Sequence, residues 1–431
     1  MLDNQSVFGQ FATLISDLYQ RYELPFYLFD LDALDKRTEW VRANVPARMH
    51  LYYSAKANPN LHLIRRIAVN FDGIEVASLG EIAAAVLAGV APERLVFVGP
   101  MKTKQDIAAA ARIGVRRIVV ESINQIQWIK MLGLTEFKLV LRVNPDVKVG
   151  SSSIKMGGQP TQFGIDRSAL TTIYKDLRTA PEMRLSGYHI YAGTQIENTE
   201  VTLAIIQEMR EIYDETPDDL RTNIDFLDFG GGFSFPVDSS PTHYPVETLR
   251  GVVDAALADF PEHVMLAFEL GRFVVAPTGV FCTRVETLKH SKGRDFAICD
   301  GGMNAFSGFS TQSRFKRQNF PCLHIPARRT DGHHIAEFCG DVVGPLCTPA
   351  DMLASGLALP NLSEGDILAF GNCGAYGLTH AMPLFLSHEA PMEIGISNDF
   401  AEPAILRNST QVVDSLVAQG ADLAAVAEVL R

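Results

Sequence analysis

A lysine, a histidine, a glycine triplet and a glutamate–arginine pair stand at the ends of four apolar runs. Lys56 lies in Leu51-Tyr-Tyr-Ser-Ala-Lys-Ala-Asn-Pro-Asn60, and His189 in Gly187-Tyr-His-Ile-Tyr-Ala-Gly-Thr-Gln195. Gly230, Gly231 and Gly232 fall in Asp228-Phe-Gly-Gly-Gly-Phe-Ser234, and Glu269, Gly271 and Arg272 in Phe268-Glu-Leu-Gly-Arg272. A lysine in such a run is either a solvated charge or an amine nucleophile that condenses with a carbonyl. Successive glycines make a tight turn, or let backbone N–H groups crowd an anion without Cβ interference. A guanidinium forks onto two phosphate oxygens. A glutamate held among apolar residues is costly unless it meets a protonated nitrogen. A histidine in this setting is a satisfied core residue or a ring that stacks on a ligand.

These residues need a scaffold that brings strand ends together. Strand-like runs recur at 49–56, 73–78, 94–99, 116–122, 138–145, 184–193, 223–232 and 263–272. Several gaps between them carry amphipathic helical spacing, as at 80–88 and 104–113. Strand–helix alternation of this kind predicts an α/β fold with a parallel sheet, and eight units close a (β/α)8 TIM barrel. Active sites of such barrels lie at the carboxyl ends of the strands, which adds Glu75 and Arg142 to the candidates. The glycine run and Arg272 then follow strands seven and eight, where barrels often bind phosphate.

The rhythm stops after Arg272. Shorter runs at 280–288, 295–299, 335–342, 366–370 and 392–396, broken by Gly and Pro, predict a second, mostly antiparallel β domain. The run at 25–30 is expected to join it. The boundaries read as a barrel over 33–276 and a β-rich domain from 1–32 plus 277–431. Helical spacing over 409–430 predicts a terminal helix packed on the β domain.

At 431 residues the chain exceeds one barrel of about 250 residues. A net charge of −12 argues against a nucleic-acid binder. No apolar run approaches the ~20 residues that span a bilayer, and the start lacks signal-peptide character, so a cytoplasmic location is expected. The six cysteines form no Cys-x-x-Cys pair. No metal site is expected from them, and reduced, mostly buried thiols are.

A Schiff-base lysine, a phosphate cradle and a buried carboxylate together describe a pyridoxal phosphate (PLP) site. Glu269 would keep the pyridine nitrogen protonated, and His189 would stack on the ring. The ordered motifs, over about residues 25 to 395, resemble those of the fold-type III PLP-dependent decarboxylases, which include ornithine and diaminopimelate decarboxylases. The resemblance implies an alanine-racemase-like barrel, PLP on Lys56, a stacking role for His189, and cofactor contacts from Gly230–Gly232, Glu269, Gly271 and Arg272. Gly344-Pro-Leu-Cys-Thr-Pro-Ala-Asp351 is similar to the family's cysteine motif, contributed by the partner subunit. Gly374-Ala-Tyr-Gly377 is similar to the motif whose tyrosine, here Tyr376, reaches the phosphate. A homodimer with shared sites follows from the resemblance. The proton returned after CO2 loss comes from Cys347 or Lys56, Glu75 orients the lysine or contacts the cofactor ring, and Arg142 is a substrate contact or an ion-pair partner.

The departures concern substrate. In the ornithine and diaminopimelate enzymes an acidic residue follows the cysteine and holds the distal ammonium, whereas here Thr348 stands there. One lost charge-assisted contact costs about 1.5–3 kcal/mol, enough to change preference by an order of magnitude. Thr348, Asp351, Arg142 and Arg314 are the substrate-binding candidates. Lys155-Met-Gly-Gly-Gln-Pro-Thr-Gln-Phe-Gly-Ile-Asp166, Tyr191-Ala-Gly-Thr-Gln195 and Pro345-Leu-Cys-Thr-Pro349 resemble the subgroup that includes the decarboxylase of butirosin biosynthesis, which acts on a carrier-protein-bound amino acid. Related sequences serve siderophore assembly. The basic residues Arg314, Lys316, Arg317, Arg328 and Arg329 form a solvated loop or meet an acyl carrier protein or citrate-like substrate. The expected activity is therefore α-decarboxylation of an amino acid or amino-acid conjugate in specialised metabolism. The alternatives are diaminopimelate decarboxylation, an amino-acid racemase, and a non-catalytic PLP-binding regulator. Alanine-type racemases place arginine at the pyridine nitrogen, so Glu269 favours decarboxylation.

Overall fold

The computed structural model describes residues 4–145, 154–155, 161–238, 243–312, 317–327, 332–409 and 411–429. The chain forms two compact units: Leu34–Phe235 with Thr242–Val274, and Met1–Ala33 with Pro236–Pro241 and Val275–Arg431.

The first unit is a closed barrel of eight parallel strands. They are Met49–Ser54, Gly73–Val76, Leu95–Phe97, Arg117–Val120, Lys138–Asn144, Arg184–Ile190, Phe226–Gly231 and Met265–Leu270. Consecutive strands are neighbours, and the eighth pairs with the first to close the ring. Every expected run becomes a strand, trimmed at its ends. The trimming has a chemical consequence, because Lys56 lies in the helical turn Ala55–Ala57 and Arg272 opens the helical turn Arg272–Val275. Both are thereby lifted out of the hydrogen-bonded ladder to the barrel's rim. Inside, Tyr52, Val96, Val98, Val119, Val140, Phe226 and Ala267 fill the barrel, each large apolar side chain contributing about 1.5–3 kcal/mol through burial. The surrounding helices start where the sequence supplies caps. Ser78 accepts from the Glu81 N–H ahead of Leu79–Leu87, and Thr103 forms a capping box with Asp106 ahead of Lys104–Ile113.

The second unit is built on one sheet. Gly279–Ser291 lies beside Phe26–Asp30, which pairs in turn with Met392–Ile396 and so joins the second sheet as expected. Most pairings are antiparallel. Two are parallel: Phe26–Asp30 with Met392–Ile396, and Arg294–Cys299 with His334–Val343. Strands at Cys322–Ile325, Met352–Ser363 and Ala404–Arg407 were not anticipated by the sequence pattern, nor was the helix Asn4–Leu18. Phe11, Ile15 and Leu18 of that helix complete a core with Phe26, Leu28, Val280, Ile367 and Ile394. The single packed helix expected over 409–430 is instead two short ones, Gln411–Ala418 and Leu423–Val429, divided by Gly420 at φ +93°. Apart from Val426, this tail buries little: Leu423 and Val429 are 60% and 83% exposed.

The cysteines are free thiols. Cys282, Cys299 and Cys373 are buried, Cys322 is half-buried, and Cys339 and Cys347 are exposed. Among the described residues no helix is long and apolar enough to cross a membrane.

Candidate active site

The Asn-Pro-Asn sequence after the lysine fixes its turn. The Tyr53 hydroxyl donates to the Asn58 carbonyl (2.9 Å), and Asn60 caps the following helix by accepting from the His62 N–H. Lys56 Nζ then lies 3.1 Å from Glu75 Oε1, with the glutamate buried and the lysine side chain 40% exposed. Glu75 reaches it because strand register sets Ser54 opposite Glu75. Lys56 Nζ also lies 5.3 Å from the centroid of the Tyr191 ring.

Register makes a second layer. Arg142, His189 and Asp228 are aligned across adjacent strands, and Glu269 aligns with Gly231. His189 Nε2 is 3.4 Å from Glu269 Oε2, and both side chains are almost wholly buried. Burial pushes the Glu269 carboxyl up, but neighbouring His189, then Lys56 and Arg142, outweigh it and hold the group down at about 2. Asp228 goes the other way. Burial first, then repulsion from Glu269, raise it well above the carboxylate range, although its Oδ1 accepts the Gly230 N–H at 2.8 Å. One anion and one protonated acid is the arrangement a crowded carboxylate pair adopts. The ligand atoms of His189, Asp228 and Glu269 lie within 4.8 Å of one another, a spacing a cation would also accept.

Arg142 is committed to protein. Its Nη1 donates to Glu121 Oε1 at 3.1 Å, and Glu121 Oε2 accepts the Gly164 N–H. The ion-pair reading of Arg142 is the one this geometry supplies. Beside it the fully buried Lys102 donates to the Gly99 carbonyl, and its ammonium is depressed to about 7, chiefly by burial.

The glycine triplet is a close-approach element. Gly230 and Gly232 have φ of +66° and +80°, and a Cβ on either would come within 2.4 Å and 2.1 Å of the Ile190 and Gly193 carbonyl oxygens. At Gly231 a Cβ would sit 1.6 Å from the Glu269 backbone carbonyl oxygen. No side chain fits there, so backbone alone lines that rim.

In the β unit, Cys347 is exposed and Thr348 half-buried. Asp351, expected to bind substrate, is instead buried, its carboxylate accepting the Met303 and Leu346 N–H groups at 2.5 and 2.7 Å. It organises the loop that carries Cys347, because two backbone donors on a buried acid leave it turned inward. Tyr376 sits at φ +53°, a left-handed backbone unusual for an aromatic residue and frequent at functional sites. Arg314, Lys316, Arg328, Arg329 and residues 156–160 of the Lys155–Asp166 motif lie outside the described residues. Arg317 is half-buried, donating to the Ser310 carbonyl, rather than part of a solvated loop.

Pyridoxal phosphate fits the barrel rim. Lys56 offers the amine, the glycine backbone an anion cradle, and Glu269 an ionised oxygen, Oε1, that has no hydrogen-bond partner among the described residues. Tyr191, Asp228, Glu121 and Lys102 were missed by sequence reasoning. Asp228 and Tyr191 stand inside quoted motifs, so their position was the available signal.

An eight-stranded barrel with this lysine, glycine cradle and glutamate, joined to a β domain, defines a PLP enzyme of the decarboxylase class. The chain belongs to the pyridoxal-dependent decarboxylases: the family's pyridoxal-binding domain matches residues 31–276. It is 35% identical to the L-glutamyl-[BtrI acyl-carrier protein] decarboxylase of Niallia circulans, over 88% of this chain and 90% of that one. It is 28% identical to the 2-[(L-alanin-3-ylcarbamoyl)methyl]-2-hydroxybutanedioate decarboxylase of Staphylococcus aureus, over 86% and 94%. A diaminopimelate decarboxylase of Deinococcus radiodurans is 31% identical over 88% and 92%. The fold matches crystalline diaminopimelate decarboxylase from Helicobacter pylori with a TM-score of 0.82 at 24% identity, covering 94% of this chain and all of that one.

Proposed function

We propose that the chain decarboxylates the α-carbon of an amino acid joined to a larger group, either a carrier protein or a citrate-like unit. The observation that carries this reading is Thr348, an uncharged residue directly after the exposed Cys347. The Niallia and Staphylococcus relatives, whose names specify conjugated substrates, support it. A free diamino acid would lack a partner for its distal ammonium at that position.

Bound PLP supplies a pyridinium ring that accepts the electron pair left as CO2 departs. The chain's residues do the rest. Glu269, held ionised by its neighbours, would keep the ring nitrogen of that group protonated. Glu75 holds the Lys56 ammonium at 3.1 Å and so sets where Nζ would stand against a cofactor carbonyl. Gly230–Gly232 and Arg272 would hold its phosphate. The working unit is a homodimer in which Cys347 of the partner subunit faces the barrel rim, and its Sγ or Lys56 Nζ returns the proton to the α-carbon.

The test is mass spectrometry of the PLP-loaded protein with meso-diaminopimelate, ornithine, lysine, glutamate, citryl amino acids and a glutamyl carrier protein. CO2 loss from a conjugate alone is the expected result. Efficient turnover of diaminopimelate would overturn it and establish the second reading, which the Deinococcus relative favours.

A further inference from the structure

An arginine carries several N–H donors on a charge that is costly to bury unmatched. Arg317 uses few of them. Its Nη2 donates to the Ser310 carbonyl at 3.3 Å, and its Nη1 meets only the weakly accepting Met352 sulfur at 3.9 Å. Nε is shut from solvent and has no hydrogen-bond partner, and no carboxylate among the described residues pairs with the guanidinium. The buried Phe309 braces it, with the ring centroid 5.3 Å from Cζ. A half-buried, braced fork with unused donors suits an oxyanion.

The fork stands against the loop of Cys347 and Thr348. The Ser310 hydroxyl donates to the Ala350 carbonyl at 2.6 Å and accepts the Met352 N–H at 3.2 Å. The Ala350 N–H in turn donates to the Thr348 hydroxyl at 3.3 Å. A chain of hydrogen bonds through Ser310 and Ala350 therefore ties Arg317 to Thr348. A cation so placed repels an ammonium and attracts a negative group.

We propose that Arg317 binds an oxyanion at the far end of the substrate, either a carboxylate of a citrate-like unit or the phosphate of a carrier-protein arm. This rests on the conjugate reading of the substrate and gives it a second residue. Thr348 withholds an anion, and Arg317 supplies a cation.

The test titrates the PLP-loaded protein by calorimetry with citrate, the neutral triamide of citrate, and inorganic phosphate. Citrate or phosphate is expected to bind the parent, and to bind R317M and R317Q about tenfold more weakly, with R317K between. The triamide should not tell these proteins apart. Citrate as the preferred ligand marks the citrate-like conjugate, and phosphate marks the carrier arm. Thermal melts verify folding, and either neutral variant suffices. Neutral variants that bind both anions like the parent overturn the inference, as does a parent that binds neither. No substrate is turned over in this measurement, so a wrong substrate assignment would show only in the decarboxylation panel. For a conjugate that is turned over, the loss in R317M should fall in KM.

Discussion

His189 Nε2 and Glu269 Oε2 lie 3.4 Å apart with both side chains almost wholly buried, so the glutamate's charge is set by its neighbours before any ligand arrives. A buried anion of this kind can hold a proton on a ring nitrogen throughout a reaction. E269Q removes the charge and retains the shape. It is expected to lower kcat about 100-fold or more while PLP still binds, measured by steady-state CO2 release and cofactor absorbance. Equal losses in cofactor binding and kcat would show Glu269 to be structural only.

Asp228 and Glu269 make opposite contributions to pH stability. Glu269 is depressed to about 2, so its contribution is present above the ordinary carboxylate value and is lost as pH falls toward 2. Asp228 is raised, so the folded state holds a proton the unfolded chain releases, and stability declines as pH climbs above about 4. D228N keeps the acceptor for the Gly230 N–H and cannot titrate. Melting temperatures of the variant should fall less than the parent's as pH rises from about 4; identical slopes would refute the protonated Asp228.

The Arg142–Glu121 pair is a different case, since both side chains are buried and Glu121 also takes the Gly164 N–H. Removing one partner strands the other charge. R142M or E121L is expected to cost about 3–5 kcal/mol, and the double variant to recover most of it. Urea denaturation of the four proteins measures this directly. An additive double variant would mean the pair is not coupled.

The barrel was legible because strands buried on both faces read as continuous apolar runs, and all eight stand out. Met352–Ser363 did not, since Gly356 and Pro360 interrupt a strand whose residues alternate between buried and exposed. The two-helix tail was read as one helix because apolar spacing continues past Gly420, whose φ of +93° breaks it. In the candidate site, residue types at strand ends pointed to Lys56, Glu75 and Glu269, and the structure sets Lys56 Nζ 3.1 Å from Glu75. Layer is a property of register, however, and sequence does not show it. Hence Asp228, aligned with His189, and the Glu121 partner of Arg142 went unnoticed.

Shared sites predict subunit complementation. K56A should be inactive alone, and C347A inactive alone where Cys347 Sγ is the proton donor. After mixing and reassembly, half the dimers are mixed, and one of their two sites carries both native residues, so activity should recover to about a quarter of the parent's. Chains that recover nothing, under conditions where mixed dimers are verified by mass, would place Cys347 in its own subunit's site or outside any site.

Thr348 offers the sharpest test of substrate preference. Its hydroxyl accepts the Ala350 N–H at 3.3 Å within the turn whose end Asp351 anchors from below. A carboxylate at this position can accept the same N–H, so T348D should leave the turn intact. It also supplies an anion next to Cys347, where a distal ammonium gains a charge-assisted hydrogen bond. T348D is therefore expected to raise kcat/KM for ornithine or diaminopimelate about tenfold or more, and to lower it for a carrier-bound or citrate-linked substrate. The gain should appear mainly in KM, because the contact is made equally in the ground and transition states. A variant whose preference between free and conjugated amino acids does not change would mean that Thr348 does not face the substrate, and that selection for the conjugate lies elsewhere in the chain.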